Sequence, residues 1–214
     1  MFRAGPAISI VIVFLILSFA TSEGWAQICM GLPAGEGQIS IQAERSTGGG
    51  PDAFGGRLGL NFNTEFAFGF NLHRPEHDEG RGLIIGGTLG FEMDEYRPPI
   101  CFVIGVEHER TPLGQGEEAR GTLVPIGLGI GKRLGDAKGI SLALFLLPEY
   151  LYQLKPDPGG EEEGFWAELG ARSHGRGSIG LVLATPFIFA SGRVELSTLN
   201  DYRPTVAIGL GLTF

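Results

Sequence analysis

Two clusters of titratable side chains carry what chemistry this sequence offers. His73, His77 and Asp78 fall within one stretch, and Glu107, His108 and Glu109 form a second. A histidine held by a carboxylate and aimed at water or a hydroxyl is the arrangement of general-base catalysis. Ser173 followed by His174 supplies a hydroxyl beside an imidazole. None of these has metal-site spacing: no CxxC or HExxH occurs, and His73 with His77 spans a strand end and a loop rather than one helical face. Gly127-Leu128-Gly129-Ile130-Gly131 has the glycine spacing of a nucleotide loop, yet it lies inside a strand pattern with no helix after it. The blander reading of the carboxylates and imidazoles is a solvated acidic rim. No metal and no cofactor is implied.

What positions these residues follows from composition. Of 214 residues, 36 are Gly and only 19% are charged, against averages of about 7% Gly and about a quarter charged. That excludes a charged disordered chain and a coiled coil, while two cysteines exclude a disulfide-dense miniprotein. The formal charge of −8 disfavours nucleic acid as a partner, because no basic stripe exists to replace phosphate counterions.

After Gln27 no sustained helical periodicity is found. Segments of about ten residues instead alternate large apolar with small or polar residues, the strand period. From Thr205 to Phe214 one face carries Val206, Ile208, Leu210, Leu212 and Phe214, and the other Thr205, Ala207, Gly209, Gly211 and Thr213. Val124, Ile126, Leu128 and Ile130 oppose Gly127, Gly129 and Gly131; Phe66, Phe68, Phe70 and Leu72 oppose Ala67, Gly69, Asn71 and His73. Ile100, Phe102, Ile104 and Val106 oppose Cys101, Val103, Gly105, Glu107 and Glu109. Further strands are expected around 39–41, 58–62, 83–91, 140–146, 165–174 and 178–189, about ten in all, with eight as the alternative. In a soluble sandwich the large apolar face turns inward and the other must satisfy water. Here the second face is too small and too rich in Gly to form a charged surface. A transmembrane barrel inverts the arrangement, with bulky apolar residues on lipid and small or polar ones on a narrow lumen. The outward exceptions, Lys132 and His108, sit near strand ends where they reach water. The fold class is therefore all-β, an antiparallel up-and-down transmembrane β-barrel. A secreted β-sandwich is the alternative.

The first residues read as an export signal. Arg3 is followed by an apolar run from Ile8 to Ala20, too short to span a membrane as a helix, and Gly24 and Ala26 supply small residues at −3 and −1 of a cleavage point before Gln27. An uncleaved anchor is the alternative. Ile28 before Cys29 disfavours a lipoprotein signal. The expected layout is a cleaved signal at 1–26, a periplasmic segment at 27–36 and the barrel at 37–214. Outside the cytosol an even pair of cysteines favours a disulfide between Cys29 and Cys101, worth about 4 kcal/mol by chain entropy; two buried free thiols are the alternative. Connections alternate long (46–53, 75–82, 111–121, 155–164, 190–203) and short (63–64, 95–99, 135–139, 175–177), as when strands cross a membrane with short periplasmic turns. Both cysteines then lie at the periplasmic end, and the segment 29–35 is expected across the barrel mouth. Pro125, Pro148 and Pro186 suggest bulges or bends.

The alternating pattern and the C-terminal Gly209-Leu210-Gly211-Leu212-Thr213-Phe214 resemble the small outer-membrane β-barrel proteins of Gram-negative bacteria. The resemblance implies that Gly209, Leu212 and Phe214 form the signal read by the outer-membrane assembly machinery; Ala207 departs from the polar residue usual two before that glycine. It also implies outer-membrane lipid as the surroundings, periplasmic termini, and no assigned external ligand. Tyr150 and Tyr152 look like aromatic-girdle residues. By the period-two count Glu44, Arg57, Glu65, Glu92, Glu107, Glu149, Glu168 and Arg172 face the lumen. Charges there must pair or be hydrated, so Arg57 and Arg172 are expected to anchor ion pairs to glutamates such as Glu107, Glu149 and Glu168. With about ten strands the lumen is expected to be mostly filled. The expected role is structural or surface-interacting, not enzymatic. A narrow ion or solute channel is the second reading, and a rim hydrolase built on His73 and His108 a third. Outer-membrane proteases of the omptin type are longer, and Ser173–His174 falls in an expected periplasmic turn, away from an external lipid substrate.

Overall fold

Alternation of large and small residues is realised as strands: β1 (Ile39–Gly48), β2 (Ala53–Asn61), β3 (Phe66–His77), β4 (Gly80–Arg81), β5 (Leu83–Met93), β6 (Ile100–Gly114), β7 (Glu117–Gly135), β8 (Ser141–Leu154), β9 (His174–Ala184), β10 (Ile188–Ser197) and β11 (Thr205–Thr213). The computed structural model describes residues 30–32, 38–48, 51–62, 66–93, 100–114, 117–135, 139–154, 174–198 and 204–214. Strands β1–β3 and β5–β11 pair antiparallel in chain order, and β1 pairs with β11, so ten strands form a closed barrel. The two-residue β4 folds back on the end of β3. Ile39 and Phe214 exchange two backbone hydrogen bonds, of 3.1 and 2.9 Å, at the seam. Closure leaves no open edge for another chain to pair with.

The faces sort as the alternation requires. Leu128 is 56% exposed, Ile208 65% and Leu210 66%, all on the outside, whereas Ser40, Gln42 and Glu44 are buried within. Tyr150 and Tyr152 point outward near the end of β8. Phe66 and Phe91, cross-strand partners on the outer face, pack in a tilted arrangement with ring centroids 5.0 Å apart.

Several connections differ from the sequence reading. Residues 111–121 are mostly strand: β6 and β7 run on to Gly114 and Glu117, because a polar two-faced extension carries no apolar signal. The turn expected at 175–177 lies inside β9, and much of the loop expected at 190–203 is β10. Most of the strand expected at 165–174 lies outside the described residues. The run 178–189 is two strands joined by a turn at 185–187, where Thr185 exchanges backbone and hydroxyl hydrogen bonds with Ile188. Pro186 therefore sits in a turn, and the three-residue connection shifts the phase. Phe189, which the sequence places with Ile179, Leu181 and Leu183 on the lipid side, faces inward and is 1% exposed. Pro125 and Pro148 skip rungs without shifting register: Ile104↔Ile126 and Glu107↔Leu123 keep one register, as do Gly127↔Glu149 and Ile130↔Leu146. The rungs on either side hold the alignment; the shift between β6 and β7 falls instead between Pro112 and Gly114. Lys132 is buried and engaged by a neighbour rather than extended to water.

The interior explains the glycines. Met30 and Leu32 lie within the lumen, not across its mouth. Leu32 packs with Phe145, Val182 and Phe189, and Met30 with Ala67, Val103 and Leu147. These bulky groups need bare backbone opposite them. A Cβ at Gly180 would run into the Phe145 ring and one at Gly211 into the Phe189 ring, while one at Gly90 would sit tightly against Met30. Gly31, at φ +67°, turns the segment where a side chain would strike Phe145. Gly209 has a similar spatial reason, since a Cβ there would overlap Gln42.

Candidate functional site

On the side of the apolar layer away from the chain ends, the lumen holds a cavity of about 470 Å³ reaching the rim at Pro51, Pro75 and Thr111. Met30, Val103, Phe145 and Leu147 contribute to its floor. Its walls are charged because seven of the ten strands place a charged or imidazole side chain on the inner face at this height: Glu44 on β1, Arg57 on β2, His73 on β3, Glu107 and Glu109 on β6, Glu149 on β8, Arg176 on β9, and Arg193 and Glu195 on β10.

Two guanidinium centres organise the wall. Arg176 grips Glu107 with both terminal nitrogens, at 3.2 and 3.3 Å, and its Nε donates to Glu149 at 2.8 Å. Arg193 Nη2 donates to Glu44 Oε1 at 2.7 Å, with its Nε 2.8 Å from Glu195. Glu44 also accepts from Gln42 Nε2, at 3.4 Å, and the same Nε2 donates to Ser191 at 2.6 Å. Arg57 takes a different partner from the one expected: its Nη2 donates to the Met30 carbonyl at 2.6 Å, fastening the inserted segment. Charges taken out of water need such compensation, and bidentate arginine–carboxylate pairs supply it with fixed geometry. Five carboxylates against three guanidinium groups leave the cavity with a formal excess of two negative charges. At the rim, Asp52 follows β1; hydrogen bonds from Thr47 and Arg45 hold its carboxyl below the usual range.

Glu107 and Glu149 face the lumen and meet on Arg176. Glu92 is buried inside near the chain-end mouth, its Oε2 3.9 Å from Cys101 Sγ. Cys29, Glu65, Glu168, Arg172 and Ser173 lie outside the described residues. Leu212 and Phe214 point outward from the closing strand and its end. His73 and His77 line the cavity, whereas His108 stands on the outer face with Nδ1 3.2 Å from the Thr122 hydroxyl. The wall therefore divides the proposed rim cluster. Among the described residues no hydrogen bond joins His73 or His77 to a carboxylate. His174 opens β9 after the long connection, so it sits at the end opposite the termini, not in a turn beside them. Arg176, Arg193 and Glu195 escape the sequence reading because their segments pass for turn and loop. Carrying the phase of Ile179, Leu181 and Leu183 back through Gly177 puts Arg176 inside, and Val194 with Leu196 outside puts Arg193 and Glu195 inside.

These features define a closed, outwardly apolar barrel with a charged cup in its lumen. In structure the chain is similar to the N-terminal β-barrel domain of Pseudomonas aeruginosa OprF, at 12% identity and TM-score 0.43 over 84% of this chain and 98% of that one. It is also similar to the NanC porin, at 10% identity and TM-score 0.37 over 82% and 98%. No family model matches the sequence, and no curated protein matches it.

Proposed function

We propose that the protein is a small integral outer-membrane β-barrel with a structural or surface-interaction role, its termini periplasmic and its lumen closed on that side. One observation carries this reading: the large apolar side chains stand on the outside of a closed barrel while the charges pair within. Exposed to water, that outer face would cost about 25 cal/mol per Å² of apolar surface; hydrocarbon removes the cost. A soluble sandwich sorts its faces the other way. The surrounding partner is then outer-membrane lipid, with Gly209, Leu212 and Phe214 recognised by the assembly machinery on the way. A Cys29–Cys101 disulfide would anchor the inserted segment, since Met30 packs beside Val103, two residues from Cys101. No catalytic role is assigned, the separation of His73 from His108 being the reason.

The negative excess of the cup favours a second reading, a narrow cation-preferring channel, but the layer of Met30, Leu32, Phe145 and Phe189 stands across such a path. Cell fractionation and bilayer recording test both. The protein is expected in the detergent-extracted membrane fraction, with gel mobility that changes on heating, and refolded protein is expected to give no stepwise conductance. Steps from the intact chain would favour the channel; recovery as a soluble protein would end both readings.

A further inference from the structure

The outer face changes character abruptly at the end opposite the termini. On β3 the outward position after Leu72 is Arg74; Arg110 follows His108 outward on β6, and Arg120 precedes Thr122 on β7. All three are exposed. Strand register brings them into one row. His73 pairs with Ile84 and Leu83 with Arg110, so Arg74 and Arg110 flank β5, and Arg110 pairs directly with Arg120. Neighbouring strands are about 4.8 Å apart, which sets Arg74 about 10 Å from Arg110 at the backbone. Like charges directly opposite one another destabilise a sheet, so a closed barrel holding this pair calls for counter-charge. Its own carboxylates supply little. Glu118 lies 3.4 Å from Arg120 with both side chains about half exposed, and no ion pair is formed by Arg74 or Arg110 among the described residues. Net charge does not account for the row either, since the chain is acidic, at −8.

We infer that Arg74, Arg110 and Arg120 form a binding site for a lipid with a net-anionic phosphate headgroup, the acyl chains lying on the apolar wall beneath and the phosphate bridging the guanidinium groups. Arginine suits this task because its planar fork donates to phosphate in pairs and stays charged. The site rests on the membrane reading above, which places this boundary at headgroup depth.

Spin-labelled lipids at the barrel surface give the test. Wild-type protein and the triple variant Arg74→Gln, Arg110→Gln, Arg120→Gln are refolded into phosphatidylcholine vesicles. Spin-labelled phosphatidic acid and phosphatidylcholine are then compared for the motionally restricted fraction, folding being checked by heat-dependent gel mobility. Wild type is expected to prefer phosphatidic acid by about fivefold or more, from one engaged arginine upward, and the variant to show a preference near one. Arg110→Gln alone, which removes the like-charge pair and so preserves folding, is expected to fall between. Millimolar inorganic phosphate is expected to leave the wild-type preference intact. An undiminished preference in both variants overturns the site, and loss of the preference to inorganic phosphate overturns the lipid assignment. A barrel that restricts no lipid of either headgroup contradicts the membrane reading instead.

Discussion

Replacing Arg176 with methionine is expected to destabilise the barrel by about 3–5 kcal/mol, the cost of stranding buried carboxylates without their cation. Arg176 serves two glutamates: it is bidentate to Glu107 and 2.8 Å from Glu149, whose side chains are only 13% and 6% exposed. Methionine fills similar volume and leaves two carboxylates facing each other in a confined space. The arginine side chain is 23% exposed, so some water reaches the site and the lower end of that range is expected. Urea unfolding of protein refolded in lipid vesicles measures the loss. Adding Glu107→Gln and Glu149→Gln to Arg176→Met is expected to restore most of it, because exchanging a whole buried ionic cluster for neutral groups is often close to neutral. A single variant as stable as wild type would mean that the cup is fully hydrated and its ion pairs contribute nothing.

Leu128→Arg carries the second large effect, about 2–4 kcal/mol of destabilisation for a cation facing the middle of a bilayer. Leu128 points outward from β7, is 56% exposed, and pairs with outward-facing Phe102 on β6. The size of the effect discriminates between surroundings. On a protein facing water, an arginine at so exposed a position is expected to stay within about 0.5 kcal/mol of neutral. The matched control is Leu154→Arg at the last position of β8, where a cation at the interface costs about 0–1 kcal/mol. Equal unfolding midpoints for the two variants would contradict a depth-dependent environment.

Most of the wall is legible in the sequence because sheet geometry imposes a period of two and the outer face carries bulk on every second residue. Thr205–Phe214 shows this cleanly, as do Val124 to Ile130. Legibility fails where that contrast fades. The outward face of β10 includes Ala190 and Gly192, so a strand whose inner face carries Arg193 and Glu195 resembles a polar loop. At Phe189 the alternation looks continuous, yet the turn at Thr185–Phe187 exchanges the two faces, and the ring belongs to the interior. Ion pairs are harder still. Arg176 and Glu107 are 69 positions apart and meet across the lumen rather than on neighbouring strands. Strand pattern says that each points inward, but not which partner waits there. The inserted Met30–Leu32 segment has no periodic signature at all; only the glycines it packs against hint that something occupies the space.

A single tryptophan at the middle of the closing strand tests the orientation of the wall most directly. In a chain beginning at residue 27 and carrying Trp166→Phe, Leu210→Trp places one indole on the outer face of β11. Refolded into vesicles with brominated acyl chains, it is expected to lose most of its fluorescence and to be indifferent to aqueous iodide. Strong iodide quenching with no response to bromine would show the bulky side chains looking into water, and the bilayer would have no place in this protein.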